Sequence, residues 1–294
     1  MNEQFKKKFK TPDMSYRSIP FWAWNAKMDQ EEIAIQICNM KEAGLGGFFM
    51  HSREGLETEY MGKEWEECIK RAVDEAKKLG MKAWLYDEDR WPSGTAGGKV
   101  PANGDACRCK GLTLEVCDEK DTSRIIRDWN YQEDEAIDGE CGVIALYAAI
   151  IRDTKILAFR RLEKKVQKLQ DKEKLLIIRL EVSASSEWFN YEAPPDNLNP
   201  DCVDAFILKT HEKYKNMVGN SFGRTVPGIF TDEPSLNDRR AFFGKNKAWI
   251  PWTYDNASYF INKKGYDFFE YLPEFYFDGV FSKKIRHDYW HVIT

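Results

Sequence analysis

Hydrophobic residues in the first 86 positions follow two spacings, one typical of buried strands and the other of amphipathic helices. Short apolar runs at residues 19–24, 47–50 and 82–86 predict strands, since runs of roughly four to eight apolar residues are typical of strands in a covered sheet. Between them, apolar side chains recur at helical spacing along 33–40 and 65–79. Strand and helix therefore alternate, as in a parallel sheet packed against helices.

Three residues mark the ends of these predicted helices. Asp29 is suited to cap the first one, because a carboxylate before a helix accepts hydrogen bonds from its free backbone N–H groups. Gly44 and Gly80 come after the last apolar positions, where glycine readily takes the left-handed conformation that ends a helix. The sequence therefore sets a start for the first helix and a stop for both.

The alternation of strand and helix breaks after residue 106. Charged, turn-like segments separate four β-rich runs there, which predicts an antiparallel insertion. The runs lie at residues 112–116, 143–151, 156–159 and 175–182. Pro194, Pro195 and Pro200 then form a return linker, since proline interrupts helices.

The earlier pattern returns after these prolines. Apolar positions along 201–218 predict a helix, and the run at 226–231 predicts a fourth strand. Further helical patterns occur near 254–263 and 283–294. We therefore expect this part of the chain to rejoin the sheet that the first strands begin.

These patterns predict an α/β fold: a partial (β/α)8 barrel of the TIM type, with an antiparallel β-rich insertion after its third strand. Residues 1–106 would form the first part of the barrel, 107–195 the insertion and 196–294 the continuation of the barrel. Four parallel strands cannot close an eight-stranded barrel. We therefore expect the chain to be truncated, or else to have a different, open fold.

Composition excludes several classes of partner. The net charge of −4 provides no basic field for a nucleic acid backbone. No apolar stretch approaches the roughly 20 residues of a membrane span, and no apolar segment follows the lysines near the start, so neither a membrane nor export is expected. The seven cysteines are odd in number and scattered, which favours reduced thiols and a cytoplasmic protein.

Polar residues and tryptophans follow each predicted parallel strand. In a parallel barrel the active site forms at the carboxyl ends of the strands, so these side chains are candidates for chemistry. They are Trp24 and Asn25 at the end of the first strand, His51 and Arg53 after the second, Asp87, Glu88 and Trp91 after the third, and Asp232 and Glu233 after the fourth.

Glu233 is the first candidate for a catalytic carboxylate. Hydrolysis of a glycoside needs two carboxyl groups, one to protonate the leaving oxygen and one to attack or to activate water. Glu233 directly follows a predicted strand, and Pro234 should keep it extended, with its side chain directed into the cleft. The alternative is that Glu233 caps the next helix or pairs with Arg239 or Arg240.

The other candidates each have a structural alternative. Asp87 or Glu88 could bind a sugar hydroxyl or calcium, or could belong to a surface turn paired with Arg90. His51 could donate a hydrogen bond to a sugar or be a structural histidine. Trp24 and Trp91 could offer flat faces to a pyranose ring, or fill the top of the barrel.

Four ordered segments resemble the catalytic region of one enzyme family. These segments are Pro-Phe-Trp-Ala-Trp-Asn at residues 20–25, Gly-Gly-Phe-Phe-Met-His-Ser-Arg at 46–53, Trp-Leu-Tyr-Asp-Glu-Asp-Arg-Trp-Pro-Ser-Gly at 84–94, and Gly-Ile-Phe-Thr-Asp-Glu-Pro at 228–234. They are similar to the α-L-rhamnosidases of glycoside hydrolase family 106, across residues 17 to about 290.

The resemblance implies a (β/α)-barrel interrupted by β-rich insertions, and an inverting, calcium-dependent enzyme that acts on rhamnose-containing plant polysaccharides. By the same resemblance, Glu233 would be one catalytic carboxylate, and Asn25, His51, Asp87 and Glu88 would line the sugar subsite. Members of that family are longer, so the second carboxylate could lie outside this chain.

The sequence therefore favours a glycoside hydrolase whose partner is an oligosaccharide or glycoside. One alternative is a carbohydrate-binding barrel fragment that holds sugar without cleaving it. A second is a metal-dependent isomerase or lyase on a barrel.

Overall fold

The structure is a computed structural model that describes residues 3–117, 122–123, 125–126, 142–163, 168–236 and 248–294. Its residues form two compact units. The first, the parallel unit, contains Met1–Ala102, Ser185–Pro195 and Pro200–Ser235. The second, the antiparallel unit, contains Asn103–Ala184, Asp196–Asn199 and Leu236–Thr294.

A parallel sheet forms the centre of the first unit. Its strands are β1 (Phe21–Trp24), β2 (Gly47–Ser52), β3 (Lys82–Tyr86) and β8 (Ile229–Phe230), hydrogen-bonded in the order β1-β2-β3-β8. This order confirms the predicted parallel strands. A closed (β/α)8 barrel is not shown by the residues that the structure describes.

Helices connect the first three of these strands. The helices of the parallel unit are α1 (Glu3–Lys10), α2 (Gln30–Glu42), α3 (Lys63–Leu79), α4 (Pro200–Lys209) and α5 (His211–Val218). Asp29 caps α2 by accepting from the N–H groups of Glu31 and Glu32, and Gly80 ends α3 at a φ of 67°, as the sequence predicts.

The helix expected over 201–218 is divided at Thr210. The Thr210 hydroxyl donates to the carbonyl of Phe206 at 2.7 Å, one turn back, and its backbone leaves the helical conformation. Such side-chain bonds to the preceding turn compete with regular helix geometry. The break places His211 at the start of α5.

Side chains of the parallel sheet alternate between two faces, as they must in a strand. One face packs against the helices, and its buried core includes Trp24, Phe48, Met50, Ala83 and Leu85. The other face carries a run of rings in mutual contact, formed by Phe21, Phe49, His51, Trp84, Tyr86 and Phe230. This second face leads to the polar strand ends.

The antiparallel unit is built on the predicted insertion. Its strands are β4 (Lys110–Cys117), β5 (Gly142–Arg152), β6 (Lys155–Arg161), β7 (Lys174–Val182) and β9 (Ala248–Trp252). They are hydrogen-bonded in the order β6-β5-β7-β4-β9. Helices α6 (Asn256–Lys264), α7 (Phe268–Tyr276) and α8 (Ser282–Ile293) complete the unit.

The part of the chain after Ser235 differs from the expected continuation of the barrel. Strand β9 pairs antiparallel with β4, with Ile250 opposite Leu112. Ile250 and Trp252 join the apolar core that β4, β5, β7 and the three last helices share. Burial of these side chains explains why Leu236–Thr294 belongs to the antiparallel unit. None of the helices described is both long and apolar enough to cross a membrane.

Candidate functional site

Hydrogen bonds link β2 with β3 through Ser52 and Asp89, and β3 with β8 through Asp87 and Thr231, and the residues at these strand ends form a polar network. Because β2, β3 and β8 are neighbours in a parallel sheet, the residues that follow them lie at the same edge. The network contains residues of all three strand ends. The prediction that the polar residues at the strand ends lie close together is therefore confirmed for β2, β3 and β8.

Asp87 lies at the centre of this network and is fully buried. It accepts hydrogen bonds from the hydroxyls of Ser93 and Thr231, both at 2.6 Å. The Nε2 atom of His211 lies 3.4 Å from its Oδ2. Burial raises the pKa of Asp87, although these partners lower it.

His211 is a member of the site that the sequence did not reveal. It begins α5, and its Nδ1 lies 3.0 Å from the hydroxyl of Thr210. Its position inside an expected helix gave no sign of a role near a strand end. Only the break at Thr210 and the packing of α5 bring the ring to Asp87.

Tyr86 links the middle of the site to Asp232. Its hydroxyl donates to Asp232 Oδ2 at 3.0 Å. The backbone N–H of Asp232 donates to Ser93 Oγ at 2.9 Å, and the N–H of Ser93 donates to the Asp232 carbonyl at 2.8 Å. Asp232, which is half-buried, is therefore held firmly in place beside Asp87.

His51 packs its ring against that of Tyr86, with 4.1 Å between centroids, and against Phe21 at 4.9 Å. Burial, with a smaller effect of the Arg53 charge, lowers the pKa of His51 to about 4. His51 is therefore neutral at pH 7. It reaches the network through ring contacts, and a hydrogen bond from it to a sugar stays a prediction.

Glu88 has a structural position, unlike the sugar-binding or calcium-binding position that the sequence predicted. Its side chain is fully buried. Its two oxygens accept from the backbone N–H groups of Asp89, Gly94, Thr95, Ala96 and Gly97, and from the Thr95 hydroxyl, at 2.6 to 3.0 Å. Burial raises the pKa of Glu88 to about 7 against the lowering effect of these donors. Glu88 organises the loop after β3.

Asp89 is occupied in a similar way. Its Oδ1 accepts from the hydroxyl of Ser52 at 2.6 Å, and its Oδ2 from the side-chain amide of Asn190 at 2.7 Å. Asp87 and Glu88 are also surrounded by hydrogen-bond donors. The cluster of Asp87, Glu88 and Asp89 therefore does not offer a set of free carboxylate oxygens to calcium. Within the described ranges, no group of three or more His, Cys, Asp or Glu side chains is arranged to hold a metal ion.

Glu233 is exposed at the same edge, one residue beyond Asp232. The indole N–H of Trp91 donates to its Oε2 at 3.0 Å. Trp91 is itself held by Trp188, whose indole N–H donates to the Trp91 carbonyl at 2.6 Å. Trp91 thus orients Glu233 by a hydrogen bond, which the prediction of a stacking face for Trp91 did not include.

The backbone of Glu233 differs from the expected extended conformation. Its φ is 43°, in the left-handed region that residues other than glycine rarely adopt. Strain of this kind is concentrated at functional sites, where the surrounding structure maintains it. Arg239 and Arg240, the alternative partners of Glu233, lie outside the described residues.

Three further candidates occupy the first two strand ends. Trp24 is fully buried in the helix-facing core, where its ring contacts Trp65, so it offers no face to a sugar. From the sequence, the alternation of side chains along β1 did not show which face of this strand packs against the helices. Asn25 is exposed just after β1, and Arg53 is half-buried, with its N–H donating to the Trp24 carbonyl.

Comparison with known proteins adds a structural likeness. No protein-family model matches this sequence, and no curated protein matches it. The fold is similar to that of a rhamnosidase from Novosphingobium sp. PP1Y, with a TM-score of 0.55 and 12% sequence identity. The alignment covers 99% of this chain and 45% of the rhamnosidase, so the chain spans less than half the length of that protein.

At this identity the likeness concerns the fold alone. It supports a fold of the kind found in glycoside hydrolases. The roles of the individual site residues stay predictions.

Proposed function

We propose that this protein hydrolyses O-glycosidic bonds as an inverting, α-L-rhamnosidase-like enzyme, with Glu233 as one of its two catalytic carboxyl groups. The observation that carries the proposal is the exposed Glu233 carboxylate, oriented by Trp91 beside the network of strand-end acids. The fold shared with a rhamnosidase supports the same chemistry. The substrate would be an oligosaccharide or glycoside of plant or microbial origin that contains rhamnose.

The geometry suits Glu233 to the role of general base. The Trp91 N–H holds this exposed carboxylate in place by donating to its Oε2 at 3.0 Å. An ionised, solvent-exposed carboxylate can take a proton from water as the water attacks the anomeric carbon. In an inverting enzyme the acid would lie about 6.5 to 9.5 Å away, which leaves room for that water.

The surrounding residues would bind the sugar. Asp232 is half-buried with one carboxylate oxygen bonded to Tyr86, so its other oxygen can accept from a sugar hydroxyl. Asn25 could donate to or accept from a second hydroxyl. Asp87 and Glu88 would act indirectly, by fixing the loops that carry these groups.

Glu233→Gln tests the proposal. With a chromogenic α-L-rhamnoside as substrate, this change should lower kcat by roughly 10²- to 10⁴-fold, while the circular dichroism spectrum and the Tm stay those of the parent. Glu54→Gln, at another exposed position in a strand-end loop, is the matched control. Near-normal hydrolysis by the Glu233→Gln protein would refute the assignment. The anomer released first, followed by NMR, tests inversion.

One observation favours a second candidate function. The carboxylates of Asp87, Glu88 and Asp89 all accept hydrogen bonds from donors of the protein. Among the described acids that follow β3 and β8, Glu233 is the exposed one. A module that binds carbohydrate without cleaving it would need no second free acid. Binding of rhamnosides by calorimetry, with no product after long incubation, would establish that alternative.

A further inference from the structure

A cavity of about 280 Å³ lies beside the strand-end network, entirely within the parallel unit. Its walls come from the loop after β2, the loop after β3, and Asn190. Loops at this edge of a parallel sheet are the usual place for ligands. We propose that this cavity is a second sugar subsite, which binds the residue next to the one held at Glu233.

The walls of this cavity are fixed before any ligand binds. Glu88 holds the backbone of the loop that contains Gly97, and Asp89 is tied to Ser52 and to Asn190. At Gly97 the φ is 67°, and a Cβ there would lie 3.0 Å from Cδ1 of Tyr60. A glycine is therefore required where this loop approaches the Tyr60 ring. Preformed walls reduce the entropic cost of binding.

The lining offers both donors and acceptors. Lys99 contributes an ammonium group, which is 3.2 Å from Glu59 Oε1 and 3.0 Å from the Tyr60 carbonyl. Arg90, whose guanidinium donates to the Glu187 carbonyl at 3.1 Å, also lines the cavity, as do Glu57 and Glu59, which are exposed acids. Mixed charges of this kind match a neutral ligand whose hydroxyls both donate and accept, rather than an anion or an apolar molecule.

The size of the cavity also matches a single sugar residue. Pockets for drug-sized ligands occupy roughly 300 to 1,000 Å³, so this cavity is at the lower limit and would take a smaller ligand. Asp89 and Arg90 directly precede Trp91, which bonds to Glu233. One sugar chain could therefore reach both places.

The inference rests on the proposed function for the identity of the sugar, but binding can test it separately. The probes are methyl α-L-rhamnoside and a rhamnose-terminated disaccharide, titrated into the Glu233→Gln protein by calorimetry. Lys99→Met removes the ammonium and keeps the stem, and Glu57→Gln removes a carboxylate charge. Lys78→Met is the control, because Lys78 also pairs with a glutamate on the surface, Glu75 at 3.0 Å.

The proposal expects the disaccharide to bind about tenfold more tightly than the methyl glycoside, which corresponds to roughly 1.4 kcal/mol. Lys99→Met and Glu57→Gln should each remove most of this preference, and Lys78→Met should preserve it. Equal affinity for the two probes in the Glu233→Gln protein, or a preference that survives both cavity variants made in it, would overturn the subsite. Unchanged Tm values exclude misfolding as the cause of a loss.

The same experiment separates this inference from the proposed function. If the parent hydrolyses no glycoside but the preference for the disaccharide depends on Lys99 and Glu57, the cavity is a sugar site and the assigned catalysis fails. If the parent hydrolyses rhamnosides and the cavity variants leave the preference intact, the catalysis stands and the subsite is refuted.

Discussion

The loops after β3 and after β8 both begin with acidic residues at one edge of the parallel sheet, but they use those residues differently. After β3, Asp87, Glu88 and Asp89 are buried and accept bonds from nearby hydroxyls, amides and N–H groups. After β8, Asp232 is half-buried and Glu233 is exposed, with single side-chain donors on each carboxylate. An acidic side chain at a strand end can therefore stabilise a loop or remain available to a substrate. Which of the two occurs depends on how many hydrogen-bond donors of the protein surround it.

The largest expected effect comes from replacing Glu88 with glutamine, and the same replacement at Glu233 is the comparison. At Glu88 the amide would place an NH₂ group among buried donors, and leaving such donors unsatisfied should cost about 3 kcal/mol of unfolding free energy. At Glu233 the change in stability should stay within about 0.5 kcal/mol, because the side chain is exposed. Urea denaturation at pH 7.5 measures both. Equal losses would mean that the contrast between the loops is wrong.

Through His51, the free energy of unfolding should change with pH by roughly 3 kcal/mol. The unfolded chain binds a proton on this histidine near pH 6.5, whereas the folded chain binds it only near pH 4. The contribution of His51 to stability is therefore complete above pH 6.5 and is lost as the pH falls toward 4. Glu88 opposes this trend, since its raised pKa makes its contribution fall as the pH rises from 4.5 to 7.

The difference between the parent and His51→Phe isolates the histidine. Phenylalanine keeps the ring contacts with Tyr86 and Phe21 but has no proton to bind. The stability of the variant relative to the parent should rise as the pH falls from 6.5 to 4, while Glu88 affects both proteins equally. A difference that is constant with pH would show that His51 is accessible to protons in the folded state.

Trp91→Phe should lower kcat by about thirtyfold, which is the loss of roughly 2 kcal/mol expected for a hydrogen bond to a charged group. Without the donor, the Glu233 carboxylate is no longer held in place, so kcat should fall while KM changes little. Trp290→Phe, at a partly exposed position on α8, is the control. If Trp91 acted only as a stacking face, KM would rise and kcat would stay near that of the parent.

The smallest expected effect comes from Tyr86→Phe. This change removes the O–H that donates to Asp232 and keeps the ring, so it should cost about 1 kcal/mol of stability. A double-mutant cycle with Asp232→Asn measures how strongly the two side chains are coupled. Strict additivity would mean that the side chains of Tyr86 and Asp232 are not energetically coupled.

Local sequence patterns determined much of the scaffold. Apolar spacing located the parallel strands and the helices between them, because burial on one face requires a matching period. Asp29 and Gly80 gave helix ends, since capping depends on the residues beside the helix. The candidate acids were also visible, because strand ends can be recognised from the polar residues that follow an apolar run.

Tertiary structure alone decided what those residues touch. The pairing of β9 with β4 joins segments far apart in the chain, and no local period records it. The position of His211 beside Asp87 depends on how α5 packs. Trp24 and Glu88 are buried because of which sheet face meets the helices and how the loop at 94–97 folds back, and these are properties of long-range contacts. The sequence therefore determines which polar side chains follow the strands, whereas burial and the hydrogen-bond donors around these side chains determine their chemistry.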